Sequence, residues 1–190
     1  MRWVLPEIVW AGISLAIYTG LLVTIISKTV EGTGEELMRS MYAMICLGIG
    51  EIVGSFVVGQ VIDRKGSKVT SYLTVGLILL QTVLMLWFIG QNTYGLLVFV
   101  LTFVFGFQDA VVNTHMSELL GFEFLPDNVR PFAVFNIVQS MTVFTFLVIE
   151  AYVDTLVELA VFNVICGLSG AAMCAALLWF PFRHKETANI

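Results

Sequence analysis

Residues 95–121 read GLLVFVLTFVFGFQDAVVNTHMSELLG. The stretch exceeds the ~20 predominantly apolar residues that cross a bilayer as a helix. No charged residue precedes Asp109 within it, yet Gln108, Asp109, Asn113, His115 and Glu118 fall close together in its second half. An aspartate at the bilayer centre costs roughly 2.5–3.5 kcal/mol on insertion scales, too much for a side chain turned toward lipid. With Asp109 at zero on a helical wheel, Asn113 lies at about +40° and Met116 at about −20°. Gln108 and His115 fall together on a neighbouring face, at about −100° and about −120°. Glu118 points to the opposite side, near one end of the span. The polar residues cover one arc of the helix, so two roles stay open: lining a water-accessible path, or joining helices through satisfied polar pairs.

The same test applied to the whole chain finds five more such stretches. Of 190 residues, 58% are hydrophobic and 12% charged, about half the charge of an ordinary soluble domain. Mean hydropathy is +0.94. The spans expected are 7–27, 37–62, 69–89, 95–121, 131–150 and 157–180, joined by short loops into a single domain, 1–190. Pro6 and Pro131 sit in first-turn positions, where a missing N–H costs little; Pro126 falls in a loop and Pro181 follows the last span. Continuous apolar runs exclude the short alternating strands of a barrel. The class is an all-α integral membrane protein of six transmembrane helices.

Basic residues set the orientation expected. Arg2, Arg64, Lys65, Lys68, Arg130, Arg183 and Lys185 share one side, and Lys28 and Arg39 the other, together all nine Lys and Arg. The positive-inside rule then puts both termini in the cytosol. The basic residues form no extended patch, which argues against nucleic acid as a partner. Cys46, Cys166 and Cys174 lie inside spans and read as buried free thiols. Zinc-type spacing is absent, so no metal or cofactor is implied. A serine elbow, a phosphate loop and an HExxH helix are all missing, and Asp63 with Asp109 matches no two-aspartate protease motif. An enzyme is not expected.

A second acidic residue, Glu51, sits in the middle of span 2. Around it Gly50 and Gly54, like Ser55 and Gly59, recur at the four-residue spacing that lets helix backbones approach closely. Span 6 carries a similar stripe at Gly167, Ala171 and Ala175. In span 5, Asn136, Gln139 and Ser140 form a further polar patch. Span 3 lacks any charge after Lys68, and Asn163 is the strongly polar residue within span 6, so both are expected to be peripheral supports facing lipid.

Between spans 2 and 3 the chain reads GQVIDRKGSK, from Gly59 to Lys68. This resembles the G-x-x-x-D-R-x-G-x-[RK] loop of the major facilitator superfamily, with Ser67 where arginine is common. GIGEIVGSFVVGQ, GFQDAVVNTH, ELLGFEF and PFAVFNIVQS resemble the C-terminal half of an Unc-93-like member of that superfamily. That branch carries G-x-x-D-x-x-x-N-T-Q in its tenth helix; Gly106, Asp109, Asn113 and Thr114 match, and His115 replaces glutamine. The resemblance covers about residues 5–180. It implies two inverted three-helix repeats forming half of a major-facilitator bundle, with spans 1 and 4 lining a central cavity and spans 2 and 5 flanking it. It also implies a secondary transporter of a small solute working by alternating access, or else a non-transporting partner of an ion channel or receptor, or a structural subunit of a membrane complex. Cavity residues on this basis are Asp109, Asn113, Glu51, Gln108 and His115. Gly59, Asp63, Arg64, Gly66 and Lys68 would form a gating loop. The partners expected are the lipid bilayer and a second six-helix half, from the same gene or another chain.

Overall fold

Each apolar run becomes one helix because, in hydrocarbon, only a helix satisfies every backbone N–H and C=O within its own segment. A computed structural model describes residues 1–30, 32, 34–124 and 129–180. Pro126, Pro181 and the basic C-terminal tail with Arg183, His184 and Lys185 lie outside the described residues. Among those described there are six helices long and apolar enough to cross a membrane. They are α1 (Leu5–Lys28), α2 (Glu36–Lys65), α3 (Ser67–Gln91), α4 (Leu96–Phe122), α5 (Val129–Glu150) and α6 (Leu156–Trp179). Every expected span is found, and the first three run about three or four residues longer than expected.

The helix ends follow local chemistry. Pro6 opens α1 at a first-turn position. Asn92 takes a left-handed conformation, φ 44°, and stops α3, a role to which asparagine is suited after glycine. Thr155 caps α6 in a reciprocal box: its hydroxyl accepts from the Glu158 amide while the Glu158 carboxylate accepts from the Thr155 amide. Such caps are worth ~1 kcal/mol. Thr155→Ala should therefore lower stability by about 1 kcal/mol in reversible unfolding, while Thr155→Asp, which keeps an accepting oxygen, should leave it nearly unchanged.

The junction between α2 and α3 corrects an expectation. Asp63, Arg64 and Lys65 are not loop residues but the last turn of α2, which runs unbroken to Gly66. Gly66 alone, with φ 81°, breaks the helix, and α3 begins at the next residue. Arg64 and Lys65 suit the negative end of the helix dipole, so nothing but the glycine interrupts it. The connection expected over residues 63–68 is a one-residue hinge.

The helices pack in a definite scheme. α2 packs on α4, α5 on α1, and α3 on α6, while α3 also meets α4 and α6 meets α1. Exchanging the first three helices for the last three leaves these five pairings unchanged. Contacts between α1 and α2, and between α2 and α3, have no counterpart of similar extent. α1 and α4 are the most buried helices; α2 and α5 are the least. This refines the expectation for α3 and α6, which are joined behind the central pair. Gly167 meets Thr82 and Gly170 meets the Trp10 ring, and the Asn163 amide donates to the Thr82 carbonyl at 3.0 Å. The barest surfaces belong instead to α2 and α5, where Phe56 is 72% and Phe144 71% exposed.

Small residues bring α2 against α4. A Cβ on Gly106 would strike the Leu47 carbonyl, one on Gly50 the Phe103 carbonyl, and one on Gly54 would lie 2.8 Å from the Phe107 carbonyl oxygen. Gly50 and Gly54 thus serve the close approach read from their spacing, whereas Gly59 faces open space. The cysteines are free thiols: Cys166 and Cys174 are buried, and Cys46 is half-buried with its thiol toward the Phe99 carbonyl.

Candidate functional site

Close contact between α2 and α4 sets the site. Asp109 is 9% exposed and accepts from the Asn113 side-chain amide at 2.9 Å; the same amide reaches the Asp109 carbonyl at 3.0 Å. One turn of α4 thus holds the carboxylate and its donor on one face, as the wheel predicted. From α1, the Tyr18 hydroxyl lies close to the Asp109 carboxylate. From α2, Glu51 lies near enough to act electrostatically on both Tyr18 and Asp109. It is half-buried, and the neighbouring Ser55 hydroxyl turns back to the Glu51 carbonyl. Three helices therefore contribute to one acidic cluster containing two carboxylates, a phenol and an amide. Such a cluster can bind a cation or a hydrogen-bond donor, or exchange a proton.

Tyr18 lies in a six-residue π-helical stretch of α1, Ile17–Leu22. A wider turn of this kind rotates the side chains that follow it and recurs at functional positions. Three residues before Tyr18, Leu15 borders a groove of about 300 Å³ between α1 and α5, together with Gln139 and Ser140. The polar patch expected on span 5 is thus found beside the exposed surface of α5, with Asn136 and Ser140 exposed and Gln139 half-buried.

Gln108 and His115 are placed elsewhere. Both are 0% exposed and face α1 inside the bundle. The Ser14 hydroxyl donates to Gln108 Oε1 at 2.8 Å, and His115 Nδ1 lies 3.3 Å from Glu7 Oε1. Gln108 Nε2, His115 Nε2 and Glu7 Oε2 have no hydrogen-bond partner. The five expected cavity residues therefore divide into two groups. Asp109, Asn113 and Glu51 meet with Tyr18, whereas Gln108 and His115 join Ser14 and Glu7 in a separate buried file.

The expected gating residues cluster at one end of α2. Asp63, Arg64 and Lys68 are exposed, Gly66 forms the hinge, and Gly59 lies about two turns earlier. Ser67, which stands where arginine is common in the resembled loop, donates to the Glu118 carboxylate of α4. This end is therefore held within the six helices by a hydroxyl–carboxylate bond. It also accounts for Glu118, which turns away from the Asp109 face to meet α3.

Tyr18, Glu7 and Ser14 are site residues that the sequence did not single out. A tyrosine in an apolar run has the pattern of a core aromatic, and Glu7 that of a first-turn acid. Among the described residues, no group of three or more His, Cys, Asp or Glu side chains could hold a metal ion.

Residues 88–174 match the family model described as "Ion channel regulatory protein UNC-93". The match runs from the end of α3 through most of α6. It includes Asp109, Asn113 and the α5 patch but neither Tyr18 nor Glu51, and it agrees with the Unc-93-like resemblance seen in the motifs. No curated protein and no solved structure matches the chain.

Proposed function

We propose that these six helices are half of a twelve-helix, major-facilitator-type bundle of the Unc-93-like branch, and that it moves a small solute across a membrane by alternating access. The observation that supports this best is where the polar groups lie. Tyr18, Glu51, Asp109 and Asn113 gather in the interior stretches of three spanning helices, with Glu51 on α2, one of the two least buried helices. Transporters of this architecture place their sites near the midplane, between two halves. Glu51, Ser55, Asn136 and Ser140 would be costly against hydrocarbon, so a second six-helix half, from the same gene or another chain, covers that face. The Gly66 hinge with Asp63, Arg64 and Lys68 would slide against that half as the two rock. Both termini would lie in the cytosol.

A second reading has its own support. The matching family is described as an ion channel regulator, and the same bare face could dock a channel. One experiment separates the two. The protein with its second half is reconstituted into vesicles loaded with a mixture of small metabolites, and the contents are followed by mass spectrometry. Transport predicts selective loss of one solute class, slowed at least tenfold by Asp109→Asn. The substitution leaves shape and hydrogen-bonding capacity in place, so unfolding stability should stay within about 1 kcal/mol of the native protein. No solute flux from the native protein, together with an altered current in a co-reconstituted channel, would establish the regulatory function instead.

A further inference from the structure

A second carboxylate-lined pocket opens at the far end of the seam between α1 and α5. It has a volume of about 260 Å³, and its wall includes Thr24, Ile25, Lys28, Glu150, Asp154 and Leu159. Glu150 is the last residue of α5 and is 8% exposed. Neither of its carboxylate oxygens has a hydrogen-bond partner. The Leu21 amide lies beside the carboxylate, outside hydrogen-bonding geometry. The position is unfavourable three times over: the carboxylate is desolvated, unpaired, and set at the negative end of a helix dipole.

The backbone makes room for it. Gly20 sits in the π-helical stretch of α1, and a Cβ there would collide with Glu150 Oε2. Tyr18, two residues earlier, points to the Asp109 cluster from a different face of the helix, so the two sites are separate. Lys28 lines the same pocket and makes no ion pair with Glu150 or Asp154 among the described contacts. Two carboxylates and one ammonium leave a net charge of −1, which suits a single positive charge. A volume of about 260 Å³ far exceeds the ~30 Å³ that one water occupies in the liquid, so a bare ion would leave most of it filled with water. Ile25 and Leu159 line it with apolar surface, and the absence of a three-carboxylate group argues against a divalent metal.

We propose that this pocket binds a small organic cation, a primary alkylammonium, with Glu150 taking its charge and Lys28 acting as a tethered competitor. Glu150 and Asp154 accept hydrogen bonds from the ammonium, whose alkyl body lies against Ile25 and Leu159. The Lys28 ammonium is not bonded to Glu150, and it competes only through the repulsion of its like charge. The site does not depend on transport, since a regulator could sense an amine as readily.

The test is titration calorimetry of n-butylammonium chloride into the intact protein in lipid nanodiscs. One saturable site is expected. Glu150→Gln should weaken binding at least tenfold, and Lys28→Gln, which removes the competitor, should tighten it about fivefold. Equimolar potassium chloride should not displace the amine. Unchanged affinity in a folded Glu150→Gln protein would overturn the proposal. So would displacement by potassium at equal concentration, or no saturable binding even in Lys28→Gln, which would mean that Glu150 is simply a neutral buried acid. Should Glu150→Gln fail to fold, Lys28→Gln decides alone, and an affinity equal to that of the native protein overturns the proposal.

Discussion

Gly106→Val should destabilise the bundle by at least ~3 kcal/mol, toward the severe end of overpacking substitutions. A Cβ at this position would drive into the Leu47 carbonyl and crowd the Glu51 amide. Both are backbone groups within α2, so no side chain can rotate aside to make room. The two helices would have to separate along the seam where Gly50 and Gly54 also allow close contact. Because that seam positions Glu51 relative to Asp109, the site should be lost with the packing. Gly76 provides the contrast: a Cβ there meets nothing within 4 Å, and it lies in the interior of α3. Gly76→Ala should be neutral or stabilising by up to about 1 kcal/mol, since alanine gives up less backbone freedom on folding. Unfolding in mixed micelles, monitored by circular dichroism, measures both. Equal stability of the two variants would contradict the packing described.

His115→Leu should cost about 3–5 kcal/mol, the range for removing one member of a buried ionisable pair. His115 and Glu7 are 0% and 1% exposed and face each other at 3.3 Å. Deleting the imidazole leaves Glu7 with no hydrogen-bond partner inside an apolar bundle, because its other oxygen already has none. The pair itself adds little net stability for the same reason, since one atom of each partner is unsatisfied. Replacing both, as Glu7→Leu with His115→Leu, should therefore recover most of the loss. The signature is strong non-additivity in a double-mutant cycle. Simple addition of two small effects, each below about 1 kcal/mol, would show that the two side chains are not coupled.

Sequence and structure part company at particular residues. The six spans were readable because apolar length is a direct requirement of the bilayer. The Asp109–Asn113 face was readable because four residues bring side chains back to one side of a helix. Gly50 and Gly54 were readable for the same reason. Partners on other helices were not. Glu7 and His115 are 108 positions apart, and Ser14 and Gln108 are 94 apart; nothing local distinguishes a first-turn glutamate from one aimed into the core. Tyr18 gains its role from a π-helical turn that leaves no mark in composition. The extent of α2 was misjudged for a different reason: Asp63, Arg64 and Lys65 have loop-like polarity, yet Arg and Lys are good helix formers and only Gly66 adopts a conformation that ends the helix.

The face carrying Asp109 and Asn113 is expected to open onto water at membrane depth instead of onto lipid or sealed protein. The most direct measurement is the reactivity of Asn113→Cys toward a membrane-impermeant maleimide in sealed vesicles, with Cys46, Cys166 and Cys174 replaced by alanine. Two single-cysteine controls bracket the result: Asn92→Cys in the hinge after α3, and Val83→Cys on the outer surface of α3, where the native side chain is 61% exposed. Asn113→Cys should react within about tenfold of Asn92→Cys, a difference of about 1.4 kcal/mol in barrier, while Val83→Cys stays unmodified. An Asn113→Cys protein as inert as Val83→Cys, with reagent offered from either side, would contradict it.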